Sequence, residues 1–243
     1  MIGVRTVVNK KVLSLIFFTA AIFGGMRYAL TPNRVVVFCD QKLPAEIQEQ
    51  VIQYLQAAPV RSLGAQQLCK ELQEKYPSIQ ALSLTYKGSL VAYGTVQARV
   101  PWVYFISTLP GNTEYVMCKD GQVLEKKYFN ESVTTGMASM IIEGNDYQSN
   151  ISDEALIKCA RELERSLFDE YTITWRSKVE ILLQSRHSNS ILVADRMTIH
   201  DNERLEHVKR IISSDTERYK DGIRADLRLK DEIVCAPLAG KST

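Results

Sequence analysis

The chain has 243 residues, 45% of them hydrophobic and 24% charged, with 30 Lys+Arg against 28 Asp+Glu. That length and apolar content suffice for one or two buried cores and exclude a wholly disordered chain. The near-balance of charge excludes an extended basic surface of the kind that grips nucleic acid.

The first question is posed by residues 10–30, KKVLSLIFFTAAIFGGMRYAL. Val12 to Met26 carry no charge, Arg27 interrupts, and Tyr28 to Leu30 resume the apolar run. Counted from 12 through 30, a helix would be about 28 Å long, close to the hydrocarbon thickness of roughly 30 Å. Arg27 can snorkel to the headgroups and Tyr28 suits the aromatic belt. No A-x-A site follows. The segment reads as an uncleaved membrane anchor, against the alternatives of a cleaved signal peptide and a buried core helix. Arg5, Lys10 and Lys11 before it and Arg27 and Arg34 around and after it favour a cytoplasmic N-terminus. The first thirty residues hold four basic and no acidic residues, which leaves 26 Lys+Arg against 28 Asp+Glu in the rest. That portion has no charge to hold nucleic acid.

Beyond it, Arg34 to Cys39 is a β-branched run of strand length. Pro44 opens a helix with Ile47, Val51, Tyr54, Leu55 and Ala58 on one stripe, and Pro59 stops it. Leu68, Leu72 and Tyr76 mark a second helix, closed by Pro77. Ile79 to Tyr86 and Leu90 to Ala98 around Lys87-Gly88 predict a hairpin. This first unit ends near Pro101-Trp102. Glu114 to Cys118 and Gln122 to Phe129 around Lys119-Asp120-Gly121 predict another hairpin. Ser152 caps a helix with Leu156, Cys159, Leu163 and Leu167 inward. Strands follow at 171–175, 179–184 and 191–194, then a helix from Asp201 or Asn202 through Leu205, Val208 and Ile211. Two final strands are expected over 223–229 and 232–236. The short links predict an antiparallel sheet.

Chemical motifs are few. Gly240-Lys-Ser-Thr243 ends like a phosphate-binding loop, but Cys235 stands where the loop needs its first Gly and no sequence for a helix follows. His187, His200 and His207 form no metal-binding spacing, and no nucleophile elbow exists. Five cysteines, at 39, 69, 118, 159 and 235, lie far apart without a C-x-x-C. They read as small buried hydrophobes, with one or two disulfides as the open alternative. Glu162 to Arg165, with Lys158, is a solvated helix face, and Trp102 and Trp175 are expected in the core. No catalytic, cofactor-binding or metal-binding residue is expected.

Several stretches together resemble a family: Tyr76-Pro-Ser-Ile79 followed by Arg99-Val-Pro-Trp-Val-Tyr-Phe105, the turn Cys118-Lys-Asp-Gly-Gln-Val123, Glu203-Arg-Leu-Glu206, Ala225-Asp-Leu-Arg228, and Ala236-Pro237-Leu238. In this order behind an apolar N-terminal segment, they make nearly the whole chain similar to the bacterial division proteins FtsQ, called DivIB in some bacteria. It departs from the family pattern over Lys87 to Val100, which is a residue or two longer than the usual strand pair and lacks the acidic residue common just before the Arg, in its last turn, Lys230 to Glu232, which lacks the usual Gly, and at Cys235, where an aromatic is common.

The resemblance implies an α+β fold: a cytoplasmic tail (1–11), an N-terminal transmembrane helix (12–30), a β-α-α-β-β POTRA-like domain (34–106), a mainly antiparallel β domain with two helices (107–238) and a loose tail (239–243). It implies a non-enzymatic, single-pass protein of the cytoplasmic membrane at the division site, with its bulk outside the cytoplasm. There it would recruit an FtsB/FtsL-like pair by strand addition to its last strand, with an FtsK-like protein as a partner of the first domain. The implied partner-binding residues are Arg228, Leu229, Glu232, Ile233, Val234, Cys235 and Ala236. The other readings are an anchored POTRA-like module for secretion or outer-membrane assembly and, third, an exported hydrolase whose site no motif marks.

Overall fold

Alternating side chains and proline punctuation build the first unit. In the computed structural model, which describes residues 34–88, 91–108, 114–143 and 153–238, strand β1 (Arg34–Cys39) leads into helix α1 (Ala45–Ala57). Pro44 stands at the N-terminus of α1, and Ile47, Val51 and Leu55 form its buried stripe. Helix α2 (Val60–Lys75) is kinked at Gly64, whose φ of 76° lies in the left-handed region that only glycine adopts cheaply. Strands β2 (Ile79–Lys87) and β3 (Val91–Ala98) form the expected hairpin, and β1 joins β3 in parallel, giving the order β1-β3-β2. The hairpin tip is tied to α2: Arg61 stacks 4.9 Å above the Tyr86 ring and donates to the Gly88 carbonyl at 2.7 Å, while the Tyr86 hydroxyl donates to Val60 O.

The second unit begins at Arg99 and differs from its sequence reading. Strand β4 (Pro101–Ser107) was expected to close the first domain; it belongs to the second sheet instead. There it lies between β5 (Tyr115–Cys118) and β7 (Ser139–Ile142), the latter a strand with no expectation in the sequence. Strand β6 (Val123–Glu125) is shorter than expected, because a 3-10 turn at 126–128 and the short helix α3 (Glu131–Thr134) follow it. The helix expected from residue 152 is two, α4 (Glu154–Glu162) and α5 (Arg165–Glu170), with extended backbone at Leu163 and Glu164 between them. Asp153 caps α4 by accepting from the Ala155 amide at 2.8 Å. The remaining elements are β8 (Tyr171–Ser177), β9 (Glu180–Ser185), β10 (Ile191–Ala194), α6 (Asn202–Ser214), β11 (Ile223–Asp226) and β12 (Val234–Pro237).

These strands form one sheet in the order β12-β11-β10-β9-β8-β7-β4-β5-β6. It is mixed, since β4–β7, β7–β8 and β10–β11 run parallel. The expected fold class is corrected accordingly: the second unit carries one mixed nine-stranded sheet, antiparallel in five of its eight pairings and parallel in three, and four α-helices where two were expected, of six in the described chain. Among the described residues no helix is long and apolar enough to cross a membrane, and the span expected over 12–30 lies outside them. The loose tail expected at 239–243 also lies outside the described residues. The core of the sheet is built on Phe105, Met140, Leu156, Ile173, Trp175, Ile181 and Leu183, all almost completely buried.

Candidate functional site at the sheet edge

The last strand has one neighbour among the described residues. β12 pairs antiparallel with β11, in the register Ile223↔Pro237, Arg224↔Ala236, Ala225↔Cys235 and Asp226↔Val234, and it ends the strand order. Period-two alternation explains the exposure of its residues. Ile233 and Cys235 turn inward and pack, half-buried, on the large core, whereas Val234 is 51% exposed and Ala236 is open. Burial pushes the Cys235 thiol up from its ordinary range. A row of unpaired backbone groups beside uncharged side chains is what strand addition requires.

The seven residues named from the sequence do not share one strand. The final pair was expected to run to Leu229 and to start at Glu232; instead β11 ends at Asp226 and β12 starts at Val234. Arg228, Leu229, Glu232 and Ile233 lie in the connection between them, while Val234, Cys235 and Ala236 lie in the strand. Arg228 is engaged inside its own chain. Its Nε and Nη2 meet the Asp226 carboxylate at 2.9 and 2.6 Å, a two-pronged pair. These hydrogen bonds hold the Asp226 carboxyl below the usual carboxylate range.

The residue that shapes this connection is Arg204 on α6, quoted in the sequence only as part of Glu203-Arg-Leu-Glu206. Its guanidinium donates to the carbonyls of Leu227, at 2.8 Å, of Leu229 and of Lys230. Asp201 both caps α6, accepting from the Arg204 amide at 3.1 Å, and pairs with Arg204 Nε at 3.0 Å. The neighbouring Leu205 is buried in the core. Between α6 and the connection lies a cleft of about 480 Å³, lined by Arg204, His207, Arg210, Ile211, Glu232 and Ile233 among others. At the far end of the strand pair, Gly222 has a φ of 103° and sits so close to Asn189 that a Cβ would lie 2.9 Å from its carbonyl carbon. Its own carbonyl accepts from the Leu238 amide at 3.0 Å, and the Ile223 amide donates to the buried Ser190 hydroxyl at 3.3 Å. No motif announced Gly222 or Ser190.

Chemistry-bearing clusters are scarce in the rest of the described chain. Among the described residues no group of three or more His, Cys, Asp or Glu could hold a metal ion. All five cysteines are free thiols, and burial pushes those of Cys118 and Cys159 up to about 12. Trp175 is fully buried, while Trp102 is half-buried and donates its indole N–H to Ala160 O at 3.1 Å. No protein-family model matches the chain, and no curated protein matches it.

Proposed function

We propose that this chain is a non-enzymatic scaffold of bacterial cell division, similar in role to FtsQ. It acts on the extracytoplasmic side of the cytoplasmic membrane at the division site. It recruits an FtsB/FtsL-like pair, one segment of which adds as a strand outside β12. The β-α-α-β-β first unit is the POTRA-like part of this reading and the surface offered to an FtsK-like protein.

The observation that carries the proposal is the β12 edge itself: a terminal strand hydrogen-bonded on one side, with Val234 outward and no charged side chain among Val234, Cys235, Ala236 and Pro237. An uncharged free edge is a liability that proteins ordinarily blunt with charge or cover. Here it is retained where a partner would pair. Main-chain bonds would supply affinity, and the side chains at alternate positions would supply choice of partner. Arg228, bound to Asp226, serves to shape the connection rather than to meet an acid of the partner.

The test is in cells. A fluorescent fusion of the full chain should gather at midcell, and depletion should produce filaments. Val234→Lys should lower co-purification with an epitope-tagged FtsB-like chain by about tenfold or more, since a lysine at an edge opposes pairing. Diffuse envelope fluorescence with normal division would reject the scaffold reading, and unchanged co-purification would reject the edge.

A further inference from the structure

We propose that Arg204 is the positioning residue of the β12 edge: one guanidinium, gripping the carbonyls of Leu227, Leu229 and Lys230 in the β11–β12 connection, holds the last strand where a partner can pair with it. The consequence for partner binding rests on the scaffold reading above; the positioning does not.

The need for such a residue follows from how little else holds the strand. β12 is four residues long, has one neighbour among the described residues, and of the stretch 233–236 turns Ile233 and Cys235 toward the core. Residues 228–232 of the connection are all exposed. The amide of Leu227 donates to Val193 O at 2.8 Å, and that of Arg228 to the Asp226 side chain at 3.1 Å. From Leu227 to Lys230, three of the four carbonyls point at Arg204. A backbone wrapped in this way around one side chain takes its path from that side chain.

Only arginine has the donors for the task. The guanidinium offers five N–H groups in a fixed plane, enough for three carbonyls and the Asp201 carboxylate together. A lysine ammonium is a compact charge with three donors on a flexible stem. Asp201 orients the fork from the start of the same helix, and Leu205 anchors that helix in the core. The position of the edge is therefore transmitted from α6. If the strand leaves the sheet for a fraction of the time, the apparent affinity of anything that pairs with it falls by the same fraction.

Hydrogen exchange on the full chain tests this without any partner. In both Arg204→Gln and Arg204→Lys, peptides covering 227–238 should exchange about tenfold faster or more, while those of β8 and β9 keep the wild-type rate. Wild-type exchange over 227–238 in Arg204→Gln would overturn the proposal. So would wild-type exchange in Arg204→Lys alone, because charge without the fork would then suffice. If Arg204→Gln fails to fold, Asp201→Asn removes only the orienting carboxylate and should raise exchange in the same segment; no rise there would count against the proposal. In co-purification, both arginine variants should lose the tagged FtsB-like chain in proportion to the fraction of time that the exchange rates show the strand off the sheet, a tenfold loss requiring that it be displaced about nine-tenths of the time. A wild-type chain that binds no such partner, with the exchange result intact, would defeat the scaffold reading and leave the positioning role standing.

Discussion

The two edges of the second sheet are built from different chemistry. β6 is three residues long and is followed at once by Lys126 and Lys127, which pair with Glu114 at 2.8 Å and Glu125 at 2.6 Å. A small satellite core of Val116, Cys118 and Phe129, with Tyr104, Leu124, Tyr128 and Met137 around it, lies beside that edge. β12 has no charge in its strand and takes its path from a side chain on a helix. Charge next to a short edge strand discourages pairing with another chain. Both edge strands are short, and β12 ends on Pro237 behind Lys230, Asp231 and Glu232, so the contrast lies inside the strands: β6 carries Glu125 and runs into two lysines, whereas the four residues of β12 carry no charge.

The largest expected effect breaks both edges at once. Trp175 is wholly buried in β8 near the middle of the sheet, and Trp175→Ala should cost about 3–5 kcal/mol by leaving a cavity. Urea unfolding of the full chain should show the loss, and a near-neutral result would mean that the sheet does not depend on its centre. Next comes Gly222→Ala, which forces a side chain into left-handed backbone and against Asn189. Strain and overpacking together predict a loss on the order of 2–3 kcal/mol. Because Gly222 precedes β11, exchange should quicken over 223–238 before it does at β6; equal quickening at both edges would erase the distinction between them. By contrast, Val234→Lys at the exposed edge should shift stability by less than about 0.5 kcal/mol while weakening partner pairing.

The two units differ in how far their sequences reveal them. The first is punctuated by Pro44, Pro59 and Pro77 and by alternating strands, and the elements observed there follow that punctuation closely. In the second, Pro101 to Ser107 reads as the tail of what precedes it, because a strand paired on both sides shows a nearly continuous apolar run and begins here with Pro. Ser139 to Ile142 is four residues, too short for a period to register. Parallel pairing was invisible for another reason: β4 meets β7, and β7 meets β8, across segments that link length alone cannot assign. The break at Leu163 was hidden because Leu156, Cys159, Leu163 and Leu167 continue one inward stripe through both short helices. At the candidate site, the terminal strand was legible from its β-branched and apolar residues. Arg204 was not, since its three partners are backbone carbonyls, and a carbonyl carries no letter.

The smallest effect concerns the ion pairs that flank the two edges. Asp226, hydrogen-bonded by Arg228, has its folded pKa lowered, as does Glu114, hydrogen-bonded by Lys126 at the other edge. A carboxyl whose pKa is depressed by folding adds stability above its unfolded value, roughly 4, and loses that contribution as pH falls through the folded value. Both pairs are well exposed, so salt screens them and the gain is slight. Arg228→Gln should therefore unfold at a slightly lower urea concentration than wild type at pH 7, and the gap should close as the pH is brought below the carboxylate range. Lys126→Gln should do the same. The two substitutions differ in where they act: Arg228→Gln should speed exchange over 227–237, because the pair braces the entrance to the connection that Arg204 grips, whereas Lys126→Gln should leave that segment unchanged. A gap that persists at low pH would show that Arg228 contributes through the packing of its stem and not through its pair. The base of β12 would then depend on Arg204 alone for its electrostatic hold.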